Sequence, residues 1–262
     1  MRTTAVRRTA LAASAAALAL LVTACGGSDD SGSGGGKGDE GKADSSASAA
    51  PAAKALTAAE LEKAALVQAD VKDGKVVTKL PSGDDIAADA VEVKDEACQP
   101  LAHIQAGVPV GSPAATVKRS WTGEPEKPAE GADLEESLTA GFDVDKVLIS
   151  LASYEDGGAE QVVKDVEAAV EKCAEGFAYT TDGESGEYVK AVKAEGPKGA
   201  DEALTVTLTM SAAGSEAPVN VVVARTGSTV AAFSAVNLAA LAAGEEAPFP
   251  TQISDAQLAK LG

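Results

Sequence analysis

Residues 204–211, Leu-Thr-Val-Thr-Leu-Thr-Met-Ser, alternate apolar and polar side chains without a break. Successive side chains point to opposite faces of a strand, so this run makes one dry face and one wet face. A helix would scatter the same four apolar residues around its circumference. The chain must therefore supply neighbours for an antiparallel strand with one solvated side. Val219–Ala224 and Thr229–Val236 are the nearest candidates, and Arg225-Thr226-Gly227-Ser228 between them reads as a hairpin turn. Upstream, Thr116–Trp121 places Val117, Arg119 and Trp121 on one side, and Lys146–Tyr154 places Val147, Ile149 and Leu151 on one face. Shorter strands are expected at Lys75–Lys79, ended by Pro81-Ser82-Gly83, and around Val91 and Val93.

Helices punctuate these strands without alternating with them. Leu56-Thr57-Ala58-Ala59-Glu60-Leu61 is a capping box with a hydrophobic staple, which predicts a helix over Ala58–Gln68 and the start of the folded domain. Cys98 lies close to the start of a short helix carrying Leu101 and Ile104. Ala159–Glu175 is amphipathic, with Val162, Val163, Val166, Ala169, Val170 and Cys173 at helical spacing and Gly176 as its cap. A second capping box, from Ile253 to Leu258, predicts a closing helix. Runs of strands with irregularly placed helices give an α+β class: a largely antiparallel sheet with helices packed on it. Residues 55–262, 208 in all, suffice for one domain with a sizeable core.

The N-terminus carries no such pattern. Arg2, Arg7 and Arg8 precede an apolar run, Ala10–Thr23, which is too short to span a bilayer and fits the central region of a signal peptide. Val22-Thr23-Ala24-Cys25 resembles the lipobox of bacterial lipoproteins, which implies cleavage after residue 24 and a lipid on Cys25. Arg7-Arg8 leaves both the general secretory and the twin-arginine routes open. Residues 25–54 are rich in Gly, Ser, Ala and Asp and have no aromatic or branched aliphatic side chain before Leu56. Such a segment buries too little apolar surface to offset its ordering entropy, so it is expected to be a disordered tether with a reach of roughly 30 Å. The expected site of action is the outer face of the cytoplasmic membrane, with the domain extracellular and lipid-anchored.

Removing the leader deletes three arginines and no acids, leaving 19 basic against 40 acidic residues, a net of about −21 where the whole chain has −18. That charge repels phosphodiester backbones and excludes nucleic acid as a partner; membrane attachment then rests on the acyl anchor. One Trp, three Tyr and four Phe are few for a platform that stacks sugars. Of three cysteines, Cys25 is assigned to lipid, so Cys98 and Cys173 remain as an even pair in an oxidising compartment and are expected to form a disulfide. No C-x-x-C is present, and a zinc site lacks ligands in a chain with one histidine. No metal or cofactor is expected.

The capped N-terminal helix, the cysteine before a short helix, the stretch VLISLASYEDGGAEQVVKDVEAAVEKC and the strands around Arg225-Thr226-Gly227-Ser228 together resemble the PknH-like extracellular sensor domain of actinobacterial envelope proteins. The resemblance covers residues 55–262. It implies a twisted antiparallel sheet with helices packed against it and a cleft that binds an envelope ligand. The chain departs from the kinase member in having one cysteine pair where that member has two, and a lipid tether in place of a kinase and its membrane helix.

Few residues suggest chemistry. His103, the single histidine, has no G-x-S-x-G elbow to serve, and Arg225-Thr226-Gly227 lacks the S-x-x-K that accompanies K-T-G in penicillin-recognising enzymes. Asp182, Glu184 and Glu187 lie near two glycines but not in the order of a calcium loop. Arg119 and Trp121 share a strand face, where a cation and an indole suit an anionic or amphipathic ligand, and Tyr154 ends the next strand. These three are the candidate ligand residues; the alternative is a core Trp with an Arg whose stem lies along the sheet edge. The sequence thus points to a monomeric, non-enzymatic envelope protein that binds a small molecule, a lipid or a partner protein in a cleft. A lipid or lipoglycan carrier is the alternative.

Overall fold

The computed structural model describes residues 53–125, 131, 133, 134, 140–212 and 215–262; the expected signal peptide, Cys25 and the expected tether up to residue 52 lie outside the described residues. Nine strands form one antiparallel sheet: β1 (Lys75–Val77), β2 (Val91–Val93), β3 (Ala115–Thr122), β4 (Asp145–Ser153), β5 (Phe177–Thr181), β6 (Glu184–Glu195), β7 (Glu202–Ala212), β8 (Ser215–Thr226) and β9 (Thr229–Asn237). Their order is β1-β3-β4-β9-β8-β7-β6-β5-β2. The last five strands in sequence run as a meander, and β9 returns to pair with β4, as in Ile149 opposite Phe233. The α+β class expected from the sequence is therefore the one found.

Helices cover both faces unequally. On one face lie α2 (Gln99–Gln105) and α3 (Gly158–Lys172); on the other lie α1 (Ala58–Ala64) and α5 (Thr251–Leu258), while α4 (Leu238–Ala243) follows β9. Val162, Val163, Val166 and Val170 of α3 pack with Leu101 and Ile104 of α2 against Leu204, Val206, Leu208, Val221 and Val223. Opposite them, Leu61, Leu66, Ile253 and Leu258 pack against Val117, Trp121, Val147, Ile149, Val222 and Phe233. The middle of β8 thus sends Val221 and Val223 to one core and Val222 and Ala224 to the other, which is why its sequence is a continuous apolar run. In β7 only one face is capped, and Thr205, Thr207 and Thr209 stay half-buried while Leu204, Val206 and Leu208 are buried.

Cys98 and Cys173 form a disulfide with Cα atoms 5.9 Å apart and a sequence separation of 75. It ties the entry of α2 to the C-cap of α3, and both cysteines are buried. Gly176 then turns the chain at φ +96° directly against β6; a Cβ there would lie 2.1 Å from the Tyr188 carbonyl oxygen. Gly176→Ala should therefore combine left-handed backbone strain with a backbone clash, at a loss of roughly 2 kcal/mol or more. Thermal unfolding of that variant checks this, and an unchanged midpoint would contradict the packing.

Two helical expectations need correction. The first helix stops at Ala64, because Ala65 is extended and only a 3-10 turn, Gln68–Asp70, follows. The closing helix starts at Thr251, after Pro250, and not at a box around Ser254. Ser254 is buried and its hydroxyl donates to the Thr251 carbonyl. Gln257 reaches across to α1, accepting from the Leu66 N–H at 2.9 Å and donating to the Ala64 carbonyl at 2.8 Å. Tertiary hydrogen bonds replace the local cap.

Candidate functional site

Trp121, Arg119 and Tyr154 do not line a common cleft. Trp121 is 3% exposed and its indole N–H donates to the Asp73 carbonyl at 2.9 Å. Tyr154 is equally buried, on the other face, where its hydroxyl donates to the Val110 carbonyl at 2.7 Å and burial pushes its pKa far up. Both are core residues whose polar atoms are satisfied within the protein, which corrects their reading as ligand contacts. Arg119 alone meets a cavity, an open cleft of about 460 Å³ shared with Glu62, Asp85 and Lys118. Its guanidinium is spent on Glu62 and on the carbonyls of Leu66, Thr78 and Lys118, and Lys118 pairs with Asp85 at 3.1 Å. Arg119 and Lys118 of that cleft are thus paired from within, while its third cation, Lys79, has no ion pair among the described residues.

A second cleft, of about 520 Å³, is built where residues 53–57 enter the domain. The extended segment is pinned by hydroxyls: Ser228 donates to the Lys54 carbonyl at 2.8 Å, and Ser153 accepts from the Leu56 N–H at 2.8 Å. Thr229 donates to Ser153 at 3.3 Å, completing a buried Ser153-Ser228-Thr229 cluster. The turn between β8 and β9 is two residues, Gly227-Ser228, with Gly227 at φ +58°, a type II′ hairpin. Arg225 holds this hairpin, bonding to Asp201, Glu202 and the Gly227 carbonyl, while the Gly227 N–H donates to Asp201 at 2.8 Å.

Three lysines, Lys54, Lys63 and Lys260, converge on this cleft with one carboxylate, Glu60. Glu60 is engaged as a cap: the Thr57 hydroxyl and N–H hold its carboxyl below the usual range, with Lys54 and Lys63 adding attraction. Lys260 pairs with Asp70 at 2.6 Å. Among the described residues, Lys54 and Lys63 have no ion-pair partner within 4 Å. Leu56, Leu261, Ala53 and Ala64 supply an apolar part of the wall. Thr226, also on the wall, has a buried hydroxyl with no hydrogen-bond partner, a state that costs about 1–3 kcal/mol when left unmade. In a chain of net charge −18, this is a concentration of positive charge beside apolar surface.

No protein-family profile matches the chain. No curated protein matches it. Among solved structures, it is similar to the crystal structure of the extracellular domain of PknH from Mycobacterium tuberculosis, at 14% identity and a TM-score of 0.45, over 79% of this chain and 95% of that one. The sheet order and pairings given above describe the fold independently of that likeness.

The remaining sequence candidates fall elsewhere. His103 lies in α2 with a ring nitrogen 3.3 Å from the Gln99 amide, and burial lowers its pKa. Asp182 and Gly183 form the turn of the β5–β6 hairpin, both at positive φ, and Glu184 and Glu187 belong to β6. The described residues contain no grouping of three ligands suited to a metal ion. Sequence reasoning missed the lysine cleft because its parts are about 170 to 200 residues apart; no local signal joins Lys54 to Ser228 or Lys63 to Lys260.

Proposed function

We propose that the chain is a lipid-anchored, non-enzymatic binding domain of the cell envelope, made of a signal peptide (1–24), a lipidated linker (25–54) and a single sensor-like α+β domain (55–262). The observation that carries the binding role is the open, cationic and partly apolar cleft at the point where the linker joins the domain. A buried disulfide suits a protein that folds outside the reducing cytosol. No helix among the described residues is long and apolar enough to cross a membrane; the proposed attachment is the lipid on Cys25. The carrier alternative needs a cavity able to enclose acyl chains; the two clefts described above are open and share polar and apolar lining.

Cys25→Ala should move the protein from the membrane fraction to the soluble or secreted fraction, because stable attachment needs the acyl chains. Retention of the variant in membranes would sink the anchor. For the binding role, native mass spectrometry of the chain purified from its own host should show a bound anionic species of defined mass; a consistently empty protein counts against it.

A further inference from the structure

We infer that the cleft between α1, the β8–β9 turn and the end of α5 binds an anionic phosphate group, a lipid headgroup being the source its position favours. This rests on the reading of that cleft as the binding site. Lys54 and Lys63 reach it from two elements, the entering segment and α1, and neither is neutralised by an ion pair among the described residues. The facing charges are Glu60, committed to Thr57, and Lys260, committed to Asp70. No arginine lines the cleft, so it lacks the planar fork that binds carboxylate or phosphate bidentately; ammonium groups act as point charges and hold a phosphate in many orientations.

One further feature narrows the class. Leu56 and Leu261 offer apolar surface next to the lysines, which suits a headgroup that continues into hydrocarbon. The entering segment is itself part of the wall, since Ala53 and Lys54 line the cleft, so the linker to the lipidated Cys25 departs from this site. A lipid of the leaflet that holds the proposed Cys25 anchor is the ligand this position favours.

The test is isothermal titration of the full chain with three probes: dihexanoylphosphatidylglycerol below its micelle concentration, dihexanoylphosphatidylcholine, and inorganic phosphate. The expected result is one-to-one binding of the anionic lipid that weakens with added salt and falls roughly tenfold in Lys54→Gln/Lys63→Gln. Both lysines are solvent-facing, so the variant should keep its melting temperature, which is measured alongside. Weaker or absent binding of inorganic phosphate identifies the lipid headgroup as the source; equal binding keeps the phosphate site and assigns a soluble source. Equal affinity for phosphatidylcholine, unchanged in the double variant, overturns the phosphate assignment while leaving the cleft as an apolar site. Failure of all three probes also overturns it, and the cleft reading itself falls only if a ligand from an envelope extract binds elsewhere on the domain.

Discussion

Trp121→Ala should lower the stability of the domain by about 3–5 kcal/mol, the range for removing a buried large aromatic side chain. For a domain of this size that corresponds to a fall in melting temperature of roughly 6–20 °C. The indole sits in the core under α1, opposite Val76 on β1 and Val147 on β4, and is 3% exposed. Its N–H satisfies the Asp73 carbonyl, and its ring lies so close to Gly74 that a Cβ there would meet Nε1 at 2.5 Å. Truncation therefore opens a cavity and also orphans a carbonyl at the edge of the sheet. Trp121→Phe should cost less, since it restores apolar contact and leaves the carbonyl unmet. A variant that kept its melting temperature but lost ligand would restore Trp121 as a binding residue.

The double substitution Cys98→Ala/Cys173→Ala should destabilise by up to about 4 kcal/mol, from the entropy of the long loop that the disulfide closes in the unfolded chain. The bridge joins α2 to α3 on one face of the sheet, so its loss should loosen that layer first. Hydrogen exchange should then quicken over residues 96–106 and 158–173 before it does over the residues of β3 and β4. Peptide mapping without reductant should recover the two cysteines as one linked pair; two free thiols would contradict the bridge. Because both cysteines are buried, mild reductant should act slowly on the folded protein.

The sheet was legible because its signal is local. Alternation in Leu204–Ser211, largely apolar runs in Val219–Ala224 and Thr229–Val236, and the helical spacing from Val162 to Val170 each state one element's burial pattern in its own sequence. The β5–β6 hairpin was missed although Asp182-Gly183 is a strong turn signal, because Glu184–Glu195 is mostly charged or small and buries only Tyr188 and Ala191. The closing helix was placed four residues late because Ser254 and Gln257 match a local cap, whereas Gln257 serves distant backbone groups at the end of α1 and just after it. Arg119 and Trp121 were correctly put on one face, but the sequence does not say whether that face is covered. The cleft is a purely tertiary object, assembled from the first and last segments of the domain and one hairpin turn.

That assembly is also the central claim, and hydrogen–deuterium exchange of the intact chain, with and without short-chain phosphatidylglycerol, tests it most directly. Protection confined to residues 53–64, 225–229 and 258–262 is the expected result. Protection around residues 78–85 and 116–119, where Arg119 lines its own cleft, with none at residues 53–64, would contradict it.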